Sequence, residues 1–238
     1  MTAVSLGWLR SILARSLDRV SLFSRTKTQL VAPDRALRGR DHYDFAVPET
    51  HFVNGRPIKA PFPDGLKEAV FGIGCFWGAE EIFWDKPGVW TTAVGYTGGY
   101  TPHPDYEEVC TGLTGHTEAV LVVYDPEKIS YGELVATFFE VHDPTQGMRQ
   151  GNDIGTQYRS AIYYTDDEQR AVAEQARKVF GTKLAELGYG NITTEVAPLR
   201  EFYYAEGYHQ QYLAKNPNGY RCHSTTGLDF PREALAAD

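Results

Sequence analysis

Glu68-Ala69-Val70-Phe71-Gly72-Ile73-Gly74-Cys75-Phe76-Trp77-Gly78-Ala79-Glu80-Glu81-Ile82-Phe83-Trp84 is the stretch on which the fold turns. Residues 68–73 form a short apolar run of the length and composition of a buried strand. Gly74 ends that run, and residues 75–84 read as the start of a helix. A strand that passes straight into a helix opens a β-α unit, and Cys75 stands at the joint.

Downstream, residues 89–96 read as a second strand, followed by a Gly- and Pro-rich loop over 97–105. Residues 116–124 alternate as a third strand, with Glu118, Val120, Val122 and Tyr124 on one face. Residues 130–141 predict a helix, with Ser130 as N-cap and Glu133 closing a capping box. An irregular stretch covers 142–156, then a strand over 158–164. A long helix follows from about 166 to 187, with Gly188 placed for a C-cap. Residues 192–197 read as the last strand. A further helix is expected over about 204–215, ending before Asn216-Pro217. This order predicts an α/β (α+β) fold: a two-layer sandwich with a ferredoxin-like split βαβ core and long irregular N- and C-terminal segments. Such a fold serves many functions and decides none.

Upstream, Pro48, Pro57, Pro61 and Pro63 break any regular element. Residues 1–48 are expected to be an extension and wrapping arm, and 49–238 a single catalytic domain with a mobile tail from about 216. The first 40 residues carry seven Arg and one Lys against Asp18 and Asp34, with serines interspersed. That composition suits either an organellar transit peptide or a basic extension on a cytoplasmic protein. The cytoplasm is the expectation, a mitochondrion or plastid the alternative.

The whole chain of 238 residues has a net charge of −8, which argues against a nucleic-acid footprint. No apolar run reaches the roughly 18 residues of a membrane span. The three cysteines, Cys75, Cys110 and Cys222, lack metal-ligand spacing and are too few for a secreted disulfide scaffold. No metal is expected, and a disulfide in a reducing compartment would be catalytic rather than structural.

Cys75 belongs at the first turn of a helix, where unpaired N–H groups and the helix dipole favour a thiolate. Position alone leaves two readings, a nucleophile and a small buried hydrophobe. Phe76 and Trp77 can wall an apolar pocket or simply fill the core. Glu118, taken by itself, reads as a solvated strand carboxylate.

Gly74-Cys75-Phe76-Trp77-Gly78 as a unit resembles the signature of the peptide methionine sulfoxide reductase A family. Further segments agree in order: Gly95-Tyr96-Thr97-Gly98-Gly99, Tyr106-Glu107-Glu108-Val109-Cys110, Gly115-His116-Thr117-Glu118-Ala119-Val120, His142-Asp143-Pro144-Thr145, residues 151–160, and His209-Gln210-Gln211-Tyr212. The resemblance runs from about residue 20 to residue 220. It implies a repair oxidoreductase that reduces methionine-S-sulfoxide, free or in proteins. Cys75 would attack the sulfoxide sulfur and become a sulfenic acid, and Glu118 would supply the proton. Tyr106 and Tyr158 would hold the sulfoxide oxygen, Asp153 would support the pocket and its water, and Phe76 and Trp77 would accept the methyl group. Cys222 would resolve the sulfenic acid as a Cys75–Cys222 disulfide, and thioredoxin or a similar dithiol would reset it. No bound cofactor is implied, and a monomer is expected. The chain departs from the family in reading Gly219-Tyr220-Arg221-Cys222, one residue longer than the usual Gly-Tyr-Cys, and in lacking a later cysteine. Cys110 is expected to pack behind the site without a redox role. Two rival readings remain: a cysteine hydrolase using Cys75 with His116 or His142 as base, and a non-enzymatic module that grips ligands in an aromatic pocket.

Overall fold

The computed structural model describes residues 27–221 and 224–235. Among these, strands β1 (Lys67–Ile73), β2 (Val89–Thr97), β3 (Thr117–Tyr124), β6 (Ser160–Tyr164), β7 (Glu195–Pro198) and β8 (Phe202–Tyr204) form one sheet, in the order β7-β6-β1-β3-β2-β8. Strands β4 (Arg149–Gln150) and β5 (Asp153–Ile154) pair as a small separate hairpin. Helices α1 (Phe76–Trp84) and α3 (Tyr131–Glu140) make the two crossovers, α4 (Asp167–Glu186) leads from β6 to β7, and α2 (Tyr106–Cys110) and α5 (Tyr212–Lys215) are single turns. The four inner strands run β6-β1-β3-β2 with every neighbouring pair antiparallel, which is the interlocked split βαβ arrangement.

The helices cover one face of the sheet. Phe71 of β1 sits at the middle of that layer, its ring centroid 5.4 Å from Phe83 and 5.5 Å from Phe138. Phe180 of α4 stacks on Phe230 of the C-terminal segment at 5.7 Å. The other face is also closed: Val70, Ala93, Leu121 and Val123 pack beneath Ile58, with Val47, Phe62 and Leu66 beside it. All eight residues of β3 are buried for this reason. Its apparent alternation sorts side chains between two apolar layers, with Val120, Val122 and Tyr124 towards the helices.

Local chemistry accounts for the helix ends. Asp166 caps α4 by accepting Gln169 N–H at 2.8 Å, and Gly188, at φ +81°, ends it. Ser130 accepts Glu133 N–H at 3.1 Å, but the expected capping box is half made. The Glu133 carboxylate instead binds Arg232 of the C-terminal segment at 2.8 Å. The expected helix over 204–215 is a second difference. Phe202–Tyr204 is an edge strand on β2, Gln211 lies in the left-handed region at φ +48°, and helix is confined to Tyr212–Lys215. The cause is a set of buried side-chain bonds. Gln210 bonds Val94 N–H and C=O at 2.9 and 2.8 Å, and Glu80 of α1 accepts Gln211 N–H at 2.7 Å. These tertiary partners outcompete the local helical ladder.

Replacing Phe71 with Ala is expected to cost about 3–5 kcal/mol of folding stability, the usual range for deleting a fully buried aromatic ring. Urea unfolding at neutral pH measures it.

Candidate active site

The site lies at one end of the sheet, where β1 ends, β3 begins and β6 begins. Gly74 makes the turn out of β1 at φ +92°, and a Cβ there would come 2.7 Å from Cβ of Gln150. The turn is therefore reserved for glycine, and the β4–β5 hairpin closes down on it. Cys75 follows as the N-cap residue of α1 and is 8% exposed. A cavity of about 120 Å³ opens beside it. Cys75, Phe76, Trp77, Tyr106, Glu118, Asp153 and Tyr158 line it. Tyr220, to which sequence reasoning assigned no role, lines it too.

Glu118 is 2% exposed at the start of β3, between the ends of β1 and β2. Its Oε2 accepts the Phe76 N–H at 3.0 Å. Burial pushes its carboxyl up to about 8, against that hydrogen bond, and the negative charges of Asp153 and Glu206 add to the rise. At pH 7 the protonated form therefore predominates. With Oε2 occupied as an acceptor, the proton belongs on Oε1. Burial and the proximity of Glu118 likewise raise the Tyr158 phenol, so it remains an O–H donor across the physiological range. Tyr106 is also raised by burial and hydrogen-bonds Cys110, whose thiol burial pushes up. Cys110 therefore sits behind Tyr106 as a protonated thiol. Asp153 accepts the Tyr220 O–H on Oδ1 at 3.3 Å, and its buried Oδ2 has no hydrogen-bond partner.

The apolar wall is held from behind. The Trp77 ring stacks on Tyr212 at 3.9 Å, and its N–H donates to His209 Nδ1 at 2.9 Å. Burial holds His209 down to about 4, so the ring is neutral and Nδ1 is available to accept. Glu206 accepts Tyr96 O–H at 3.0 Å and Tyr106 N–H at 2.8 Å. Residues 206–212 thus position Trp77 and Tyr106. The sequence signalled this segment through His209-Gln210-Gln211-Tyr212, but a positioning role appears only with the contacts.

Cys222 lies outside the described residues. Next to it in sequence, Arg221 makes a two-pronged ion pair with Glu81 of α1, both bonds 2.7 Å. Ser224 accepts from Gln146 at 2.8 Å.

The two histidines named as bases are elsewhere. His142 Nδ1 is 2.6 Å from Phe138 O and its Nε2 is 2.7 Å from Ser160 Oγ. His116 Nδ1 accepts Gly99 N–H at 3.0 Å, its Nε2 is 2.7 Å from Thr101 O, and it borders a different cavity of about 320 Å³. Both rings are engaged on both nitrogens and neither lines the Cys75 cavity, so the cysteine-hydrolase alternative is not supported. Beside Cys75 the cavity is lined by the raised carboxyl of Glu118, the side chain of Asp153 and the phenols of Tyr106, Tyr158 and Tyr220. That set can attack an electrophilic centre and protonate an oxygen, and among the described residues no imidazole lines the cavity.

The family model for peptide methionine sulfoxide reductase matches residues 67–233. Peptide methionine sulfoxide reductase MsrA of Pseudomonas aeruginosa is 61% identical over 205 residues, covering 86% of this chain and 95% of that protein. The MsrA of Azotobacter vinelandii is 62% identical, covering 85% and 94%. Methionine sulfoxide reductase A of Corynebacterium diphtheriae superposes with a TM-score of 0.75 at 48% identity, covering 84% of this chain and 97% of that one. This chain belongs to the peptide methionine sulfoxide reductase (MsrA) family.

Proposed function

We propose that this reductase acts on the S epimer of methionine sulfoxide, free or in proteins, with Cys75 as nucleophile and Glu118 as acid. The observation that carries the reading is a cavity in which the Cys75 thiol, a carboxyl pushed up by burial and the phenols of Tyr106, Tyr158 and Tyr220 meet. Cys75 stands at the N-cap of α1. The thiolate attacks the sulfoxide sulfur while Glu118 protonates the oxygen. Tyr106 and Tyr158 donate to that oxygen, as fixed donors do for a developing oxyanion. Asp153 lines the same cavity and supports the pocket. Phe76 and Trp77 receive the methyl group by shape and sulfur–aromatic contact.

The sulfoxide gains two electrons and leaves as methionine, and Cys75 loses two and carries the oxygen as a sulfenic acid. The Cys222 thiol then attacks the Cys75 sulfur, expels the oxygen as water and forms a disulfide. The positions of Tyr220 in the cavity and of Arg221 on α1 support Cys222 in this role. Thioredoxin or a similar dithiol exchanges with the disulfide and returns both thiols. The chemistry is carried by side chains and needs no bound cofactor. Among the described residues no helix is long and apolar enough to cross a membrane. The scarcity of cysteines favours a reducing, cytoplasmic setting.

Cys75→Ser is expected to abolish turnover. Cys222→Ser is expected to release one methionine per enzyme and then stall with thioredoxin; sustained thioredoxin-driven turnover would remove Cys222 from the reaction. Glu118→Ala should slow the first step roughly 100-fold in single-turnover assays. In the unmodified chain that step should fall as pH rises through about 8, where the Glu118 carboxyl ionises.

The same group sets a stability signature. Its folded value, about 8, stands above the ordinary 4.5. The folded chain therefore keeps a proton that the unfolded chain releases, and the contribution of Glu118 to stability is present in full below pH 4.5 and is lost as pH rises to about 8. Glu118→Gln keeps an acceptor for Phe76 N–H and does not titrate. Thermal melts should show it gaining on the parent chain across this window, with the gap widest above pH 8.

A further inference from the structure

Arg40 precedes the sheet in sequence, yet its guanidinium reaches the first turn of α2, where Tyr106 stands. It donates to both Glu108 carboxylate oxygens at 2.9 and 3.1 Å and to Asp105 Oδ2 at 3.2 Å. Those two carboxylates are the reciprocal cap of α2: Asp105 Oδ1 accepts Glu108 N–H at 2.8 Å, and Glu108 Oε2 accepts Asp105 N–H at 3.1 Å. A helix of five residues has almost no stability of its own, so its cap fixes where its first residue points. One cation ties both halves of that cap together. The three side chains are between 24% and 28% exposed, which places them in a partly buried network rather than an isolated surface pair.

The backbone on either side makes the same connection. Arg40 N–H donates to Pro102 O at 3.1 Å, and its Nη1 donates to His103 O at 3.0 Å. His103 is held at φ +46°, a conformation that a non-glycine residue keeps where its surroundings impose it. Gly39, at φ +66°, lies so close to this loop that a Cβ would come 2.2 Å from Pro102 O. Leu37 N–H donates to Leu113 O at 3.0 Å. Further back in the arm, the Lys27 carbonyl accepts Thr156 N–H at 2.8 Å. Thr156 opens the 3₁₀ turn that ends at Tyr158.

We propose that residues 27–40 form a strap across the two phenols, with Arg40 the positioning residue for Tyr106. The strap touches no reacting atom. It acts by holding the two O–H donors, borne on two separate short turns, at a fixed spacing over the cavity. The proposal rests on the reading that these phenols hold the sulfoxide oxygen.

The test is a single-turnover assay of methionine release from a sulfoxide peptide, on the full chain. The variants are Arg40→Ala, Arg40→Lys, Tyr106→Phe and the pair Arg40→Ala with Tyr106→Phe. Arg40→Ala should lower the saturating rate by roughly tenfold or more, the scale of a donor displaced by a fraction of an ångström, and move the half-saturating concentration less than about twofold. Arg40→Lys keeps the charge and loses the fork, so it should fall between. The double variant should be no slower than Tyr106→Phe alone, because the strap works through that phenol. A residue that only stabilised the fold would give losses that multiply. An Arg40→Ala rate equal to that of the parent chain, or losses that multiply, overturns the strap. If Arg40→Ala does not fold, the same cycle run with Arg40→Lys decides by the same criterion. A Tyr106→Phe rate equal to the parent's overturns the phenol reading itself, and the strap with it.

Discussion

A carboxyl group at the end of a sheet strand ordinarily faces water and ionises. Glu118 is instead enclosed where β1 and β2 flank β3, with the first N–H of α1 as its hydrogen-bond donor and the carboxylates of Asp153 and Glu206 nearby. Both the dielectric and the local charges act against ionisation. The rest of the site depends on this enclosure. A neutral acid beside a helix-capping thiol allows proton donation and thiolate attack in one small volume. An ionised Glu118 would repel the thiolate and offer no proton.

Enclosing Glu118 demands that both faces of the sheet be closed and that loops from several elements converge over its end. The helical layer closes one face and residues 47–66 lie over the other. Over the end itself, short elements that cannot stand alone are held by polar bonds. Glu80, buried in α1 and pushed up to about 7, binds Gln211 twice and accepts from Thr92 at 3.0 Å. This fixes the segment that presents His209 and Tyr212 to Trp77. Arg159, 4% exposed, donates to Glu195 at 2.9 Å and to Thr156 O at 2.9 Å, and so fixes the turn bearing Tyr158. Buried groups of this kind are costly when half satisfied and rigid when satisfied, which suits walls that must hold reacting groups in place.

The places where sequence reading and structure part company have a common cause. The strands over 67–73, 89–97 and 117–124, the capped helix at Ser130 and the long helix closed by Gly188 rest on apolar runs and local caps, and were legible. The edge strand Phe202–Tyr204 and the short helix at Tyr212 rest on partners remote in sequence, β2 and Glu80, and the turn at Tyr106 adds Arg40 and Glu206 to its own Asp105–Glu108 cap. Glu133 shows the same competition at the level of one side chain. It had a local partner within reach and took Arg232 instead, because a two-pronged guanidinium–carboxylate pair outweighs a single backbone bond.

By itself the sequence determined the order of the elements, the glycine turn that delivers Cys75 to a helix start, and the motifs that mark the family. These follow from backbone conformation and nearest neighbours, so they can be read along the chain. Only the tertiary structure decided that Glu118 is buried with its carboxyl pushed up and that His116 and His142 stand away from the thiol. The same holds for the Arg40 contacts with the Tyr106 turn. Burial and charge proximity depend on what folds back over a residue from far along the chain, and no local pattern carries that information.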